Sequence, residues 1–174
     1  MIRPIVLHPD ARLKKKSVEV EGITDALIEL AEDMMETMYN APGIGLAAPQ
    51  IGVLQRVIVM DCAKKEDEEP DPIIMVNPLI KASSEEKNVY EEGCLSIPEH
   101  FAEVTRPELV QVEWIDLEGK QHSEEFNGLK STCVQHEIDH LNGKLFIDYL
   151  GPIKRQMITR NMQKFKREKL RGSE

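Results

Sequence analysis

Residues 135–140 read Gln-His-Glu-Ile-Asp-His, an H-E-x-x-H pattern. In a helix, His136 and His140 fall on one face about 6 Å apart along the axis. Two imidazoles so placed can hold one divalent metal, and Glu137 can reach a water on that metal. The surroundings predict the helix over about 129–142. Gly128 precedes it, Val134, Ile138 and Leu141 are apolar near helical spacing, and Gly143 suits a left-handed cap. The alternative is an ordinary amphipathic helix with two exposed histidines.

A catalytic metal needs a third protein ligand and an open position. Cys133 precedes His140 by seven residues, about 10 Å of helix rise, too far for one ion to span comfortably. It reads as packing beside the pocket. Glu168 follows His140 by 28 residues, a separation that a zinc endopeptidase could use, but it lies inside a basic tail. Cys94 follows Gly93 in a segment closed by Pro98, and a thiolate presented there can complete a Cys-His-His set for iron or zinc. A structural metal site in a binding module would need a fourth protein ligand, and none stands out. His8, His100 and His122 have no motif around them and read as surface residues.

The rest of the 174 residues predicts one domain, 1–174, of the α+β class. Thr24 is a candidate N-cap for an amphipathic helix over 24–39, with Leu27, Leu30, Ala31, Met34, Met35 and Met38 on its apolar stripe. Gly43 to Gly52 reads as a tight loop. It lacks the G-K-[ST] and the preceding strand of a phosphate loop. Residues 56–61 and 73–78 read as strands, 63–72 as a charged loop, and 110–115 with 121–126 as an antiparallel hairpin. Residues 145–150 read as extended. Pro152 opens a final helix to about 170, with Ile153, Met157, Met162 and Phe165 on its apolar side.

Charge is divided unevenly. The net charge is −9, yet Lys154, Arg155, Arg160, Lys164, Lys166, Arg167, Lys169 and Arg171 face only Glu168 and Glu174 in residues 154–174. That tail carries +6 and the remainder −15, which points to an anionic partner for the tail. No apolar run approaches the roughly 20 residues of a membrane helix. Three cysteines, without a signal-peptide pattern, fit a reducing cytoplasm better than a disulfide framework.

Three segments together resemble the peptide deformylase family: GIGLAAPQIG at 43–52, EGCLSIP at 92–98 and QHEIDH at 135–140. The likeness runs over nearly the whole chain and is similar to the shorter, type 1 branch. It implies removal of the formyl group from N-formylmethionine of nascent polypeptides, by attack of metal-bound hydroxide on the formyl carbonyl. It implies antiparallel sheets around a central metal-binding helix. Cys94, His136 and His140 would hold one ion, usually Fe²⁺, with Zn²⁺ or Ni²⁺ as substitutes. Glu137 would be the general acid/base, and Gln50 with the Leu95 N–H would face the oxyanion. Ile44, Gly45, Leu129 and Cys133 would line the methionine pocket. The basic final helix would dock on the ribosome; its alternative is a solvated helix packed on the body. Neither membrane nor DNA is implied as a partner. Relatives often carry Arg where this chain has Phe101, and Arg106 is placed to pair with Glu92 or to stand free.

Overall fold

The computed structural model describes residues 1–63 and 68–172. Its organising strand is β2 (Val57–Met60), in which all four residues are buried. Side chains alternate across a strand, so this run must be covered on both faces. Val57 and Val59 pack with Leu27, Leu30, Met34 and Met38 of α1 (Asp25–Asn40). Ile58 and Met60 pack with Cys133, Val134, Ile138 and Leu141 of α2 (Gly128–Leu141). Each large side chain so buried contributes roughly 1.5–3 kcal/mol.

Around β2 lies an antiparallel five-stranded sheet in the order β1-β2-β3-β6-β7. Its other strands are β1 (Gly45–Ala47), β3 (Ile73–Ser83), β6 (Leu109–Ile115) and β7 (Gln121–Asn127). A separate hairpin pairs β4 (Lys87–Cys94) with β5 (Ile97–Pro107). The hairpin, the 3-10 turn Phe146–Tyr149 and α3 (Pro152–Gly172) share another core of Ile97, Val104, Phe146, Ile158 and Met162. The arrangement is α+β, as the sequence predicts.

Both ends of α1 follow from its sequence. Thr24 Oγ1 accepts the Leu27 N–H at 3.2 Å, and the helix runs to Asn40. Several elements depart from expectation. The 43–52 segment is not all loop: it holds β1 and a 3-10 turn at Ala48–Ile51. Strand β3 continues past Pro78 because the ladder bulges there, and Asn77 at φ 50° ties both of its amide ends to Val20. The 145–150 piece is a 3-10 turn, not extended, with the Leu145 N–H donated to Asp148 at 2.9 Å. On α3 the buried residues are Ile158 and Met162, whereas Ile153 and Met157 are exposed. Of the expected charged loop, residues 64–67 lie outside the described residues.

The β4–β5 hairpin is the element that apolar alternation fails to reveal. Its inward positions include Glu92 and Arg106, which are buried against each other. His8 also differs from expectation. It is buried, with Nε2 2.9 Å from Thr159 Oγ1 of α3.

Gly143, just past the end of α2, has φ 74°, and a Cβ there would run into the Lys14 carbonyl. Gly143→Ala is expected to destabilise the protein by at least roughly 2 kcal/mol, through left-handed strain and a backbone clash. Urea unfolding followed by circular dichroism checks this.

Candidate metal centre

The site forms where the end of β4 meets the last turns of α2. Gly128, at φ 55°, turns the chain from β7 into the helix. His136 and His140 then project from one face with ring centroids 5.0 Å apart. Cys94 stands at the hairpin turn, its Sγ 3.4 Å from His140 Nε2. Donor atoms of Cys94, His136 and His140 lie within 4.8 Å of one another, a group able to hold a metal ion. Sulfur with two imidazoles suits iron or zinc. Glu168, by contrast, is exposed on α3 and stands outside this group.

A buried ionic network orients the cluster. Glu92 accepts from His136 Nδ1 at 2.9 Å, which leaves Nε2 for the site. Arg106 grips Glu92 in a fork of 2.7 and 2.9 Å and gives Asp139 a third bond of 2.9 Å. Tyr149 donates its hydroxyl to Asp139 at 2.8 Å, and its ring lies 4.7 Å from the guanidinium carbon. Burial alone would raise the Glu92 pKa, but the bonds from His136 and Arg106 prevail and hold it below the usual range. Of the two readings open for Arg106, the structure has the Glu92 pair.

Glu137 is buried at 2% exposure, with Oε1 3.8 Å from His136 Nε2 and 3.9 Å from His140 Nε2. Its Oε2 has no protein partner. Burial pushes its pKa up to about 7. A carboxyl poised near neutrality beside three metal-ligand types suits proton transfer, and its unpartnered Oε2 keeps its lone pairs uncommitted to the protein.

Gln50 is locked in place. Its Oε1 accepts the Ala47 N–H at 2.9 Å, while Nε2 donates to Ser96 Oγ at 3.1 Å and faces Cys94 Sγ at 3.4 Å. Ile44, Gly45, Leu129 and Cys133 share one cavity of about 800 Å³ with Gln50, Cys94, His136 and Glu137. A Cβ on Gly45 would stand 2.9 Å from Glu137 Oε2 and 3.0 Å from Cys133 Sγ, so glycine keeps the backbone close to the reacting groups. Phe101 is exposed on the cavity wall with its ring edge against Gly93.

This geometry alone does not name a substrate. The family described as Polypeptide deformylase matches residues 2–156. The chain belongs to the peptide deformylase family. It is 54% identical over 163 residues to the peptide deformylase of Rhizobium meliloti, covering 94% of this chain and 93% of that one. The crystal structure of the Ehrlichia chaffeensis deformylase superposes with a TM-score of 0.92 at 38% identity, covering 98% of this chain and 99% of that one. The Legionella pneumophila deformylase gives a TM-score of 0.89 at 46% identity, with the same coverage. The deformylase is therefore a hydrolase that removes formyl from N-formylmethionine, and its family is metal-dependent. No helix among the described residues is long and apolar enough to cross a membrane.

Sequence reading missed the supporting residues of this deformylase, namely Ser96 behind Gln50, and Asp139 with Tyr149 behind Arg106. Ser96 sits inside the EGCLSIP segment, and a lone hydroxyl between the apolar Leu95 and Ile97 was the available signal. Nothing in the sequence links Tyr149 to Asp139.

The raised Glu137 carboxyl makes the metal-free fold sensitive to pH. The folded protein keeps a proton that the unfolded chain releases near its ordinary value of 4.5. Stability is therefore greatest below that value and falls as pH rises to about 7. In chelator-treated protein, Glu137→Gln is expected to gain on the order of 3 kcal/mol relative to wild type between acid and mildly alkaline pH. Parallel urea titrations across that window measure the difference.

Proposed function

We propose that Cys94, His136 and His140 hold the ion, that Fe²⁺ is the native one, and that Glu137 carries the proton in formyl-group hydrolysis. The observation that supports this reading most directly is the convergence of three metal-ligand types around a buried glutamate with one unpartnered oxygen. A divalent ion in such a set acidifies water and withdraws charge from a carbonyl oxygen.

The chain's own groups account for the remaining steps. Glu137 takes a proton from the attacking water and returns it to the departing amine, so water and formamide become formate and a free N-terminus. The carbonyl oxygen gains charge on the way. Gln50 Nε2 has two hydrogens fixed in the amide plane; Ser96 takes one, and the one facing Cys94 is the donor available to that oxygen. The Leu95 N–H, unbonded among the described residues at the hairpin turn, supplies a second donor. One such donor contributes roughly 3–4 kcal/mol to transition-state stabilisation. The methionine side chain takes the apolar wall of Ile44, Leu129 and Cys133, which suits a flexible thioether.

Formate release from formyl-Met peptides, assayed anaerobically with metal analysis of the same sample, tests this reading. Glu137→Gln is expected to retain the ion and lose at least about a hundredfold in kcat. Near wild-type turnover would remove Glu137 from the role. Activity is also expected to decay in air, since a ligating thiolate and ferrous iron both oxidise.

We further propose a cytoplasmic enzyme that works on nascent chains at the ribosome. Its cysteines, all free thiols, suit a reducing compartment. The far end of α3, with Lys164, Arg167, Lys169 and Arg171 on exposed or half-exposed turns, suits RNA phosphates. Removal of residues 163–174, beyond the buried anchor Met162, is expected to weaken ribosome binding and flatten its salt dependence. Co-sedimentation with ribosomes at graded salt measures both.

A further inference from the structure

Cys133 lines the cavity on one side and meets a second thiol on the other. The Ile44 carbonyl accepts the Asp61 N–H at 2.8 Å and the Cys133 thiol at 3.6 Å, which brings Cys133 Sγ on α2 against the chain leaving β2. The next residue along that chain is Cys62. Cys62 packs on the core cluster that holds Cys133, and the two thiols interact. Cys62 stands outside the cavity and outside the Cys94, His136 and His140 group, so the chemistry proposed above leaves it without a task.

The pair is asymmetric. Cys62 is half-buried and keeps access to solvent, whereas Cys133 is only 5% exposed. Hydrogen bonding from Cys133 lowers the Cys62 pKa, and the charge of Lys130, three residues before Cys133, adds to this against burial and Asp61. The same pairing, together with burial, pushes the Cys133 pKa well up. One sulfur is accessible and inclined to the thiolate, and its neighbour is a shielded thiol. Peroxide-sensitive cysteines stand beside a resolving cysteine in the same way. Two thiols packed merely as small apolar groups would need neither the solvent access of Cys62 nor the cation beside it.

We propose that Cys62 and Cys133 form a modification site for hydroperoxides, where a reversible disulfide draws Cys133 out of the methionine pocket. The Cys62 thiolate attacks a peroxide oxygen, the O–O bond breaks, and the departing hydroxide or alkoxide takes up a proton. Cys133 sulfur then displaces the hydroxyl of the Cys62 sulfenic acid, and the Cys133 proton leaves with that hydroxyl as water. Two thiols give up two electrons, one peroxide is reduced, and a thiol reductant reverses the bridge. In a reducing compartment such a bridge is transient. Its formation moves Cys133 Sγ away from the Ile44 carbonyl and from Gly45, both on the cavity wall. The effect on substrate rests on the reading that Cys133 touches the methionine side chain; formation of the bridge does not.

Peptide mapping of zinc-loaded full-length protein, treated with equimolar hydrogen peroxide and then alkylated, tests the proposal. One disulfide joining the Cys62 and Cys133 peptides is expected, lost on treatment with dithiothreitol. Oxidation should raise KM for a formyl-Met peptide at least about fivefold and change kcat by less than about twofold. Cys62→Ser should match untreated wild type in KM and kcat both before and after peroxide. Untreated Cys133→Leu should shift preference from formyl-Met towards formyl-Ala peptides. Without that shift the pocket reading fails, and with it the effect on substrate, while the peptide map decides the modification site separately. The proposal is overturned if no Cys62–Cys133 disulfide forms or if Cys94 is oxidised in preference. A bridge that leaves KM unmoved, or a peroxide effect on KM that survives Cys62→Ser, overturns it as well.

Discussion

The ion pair between Glu92 and Arg106 joins the two halves of the molecule at the site. Glu92 belongs to β4, Arg106 to β5, and their partners His136 and Asp139 to α2. Both charged groups are almost wholly buried, at 5% and 4% side-chain exposure. Removing one partner from such a pair typically costs about 3–5 kcal/mol, because the other charge is left without compensation. The pair therefore fixes where the hairpin sits on the helix, and with it the distance from Cys94 to the histidines.

That constraint explains the division of labour in the core. The two faces of β2 hold α1 and α2 through apolar contact alone. Such packing is strong but weakly directional. The hairpin and α3 form their own apolar cluster around Phe146 and Ile158. Between these cores lie the directional contacts: the fork of Arg106, the bond from Glu92 to His136, and the lock of Gln50 on Ala47 and Ser96. Polar groups here set angles that hydrophobic burial cannot set.

Legibility in the sequence followed the same division. Helix α1 was readable because its stripe is apolar and Thr24 caps it; β2 was readable because it is β-branched and uninterrupted. The β4–β5 hairpin was not, since Glu92 and Arg106 occupy inward positions that an alternation search expects to be apolar. On α3 the expected stripe began at Ile153, but the helix meets the body only from Ile158 onward, so the first turn carries its apolar residues outward. His8 read as a surface residue because its cover comes from Thr159, 151 positions away.

The sequence by itself determined the donor types and the helical spacing of His136, Glu137 and His140, because an α-helix converts a four-residue interval into a shared face without help from the rest of the chain. It also determined the strands whose side chains are apolar on both faces. Only the tertiary structure decided that Cys94 closes on those histidines, that Arg106 spends its charge inside, and that Glu137 is buried deeply enough to hold its proton near neutrality. Those outcomes depend on distances between segments remote along the chain and on how much water is excluded between them, and neither quantity is written in local spacing.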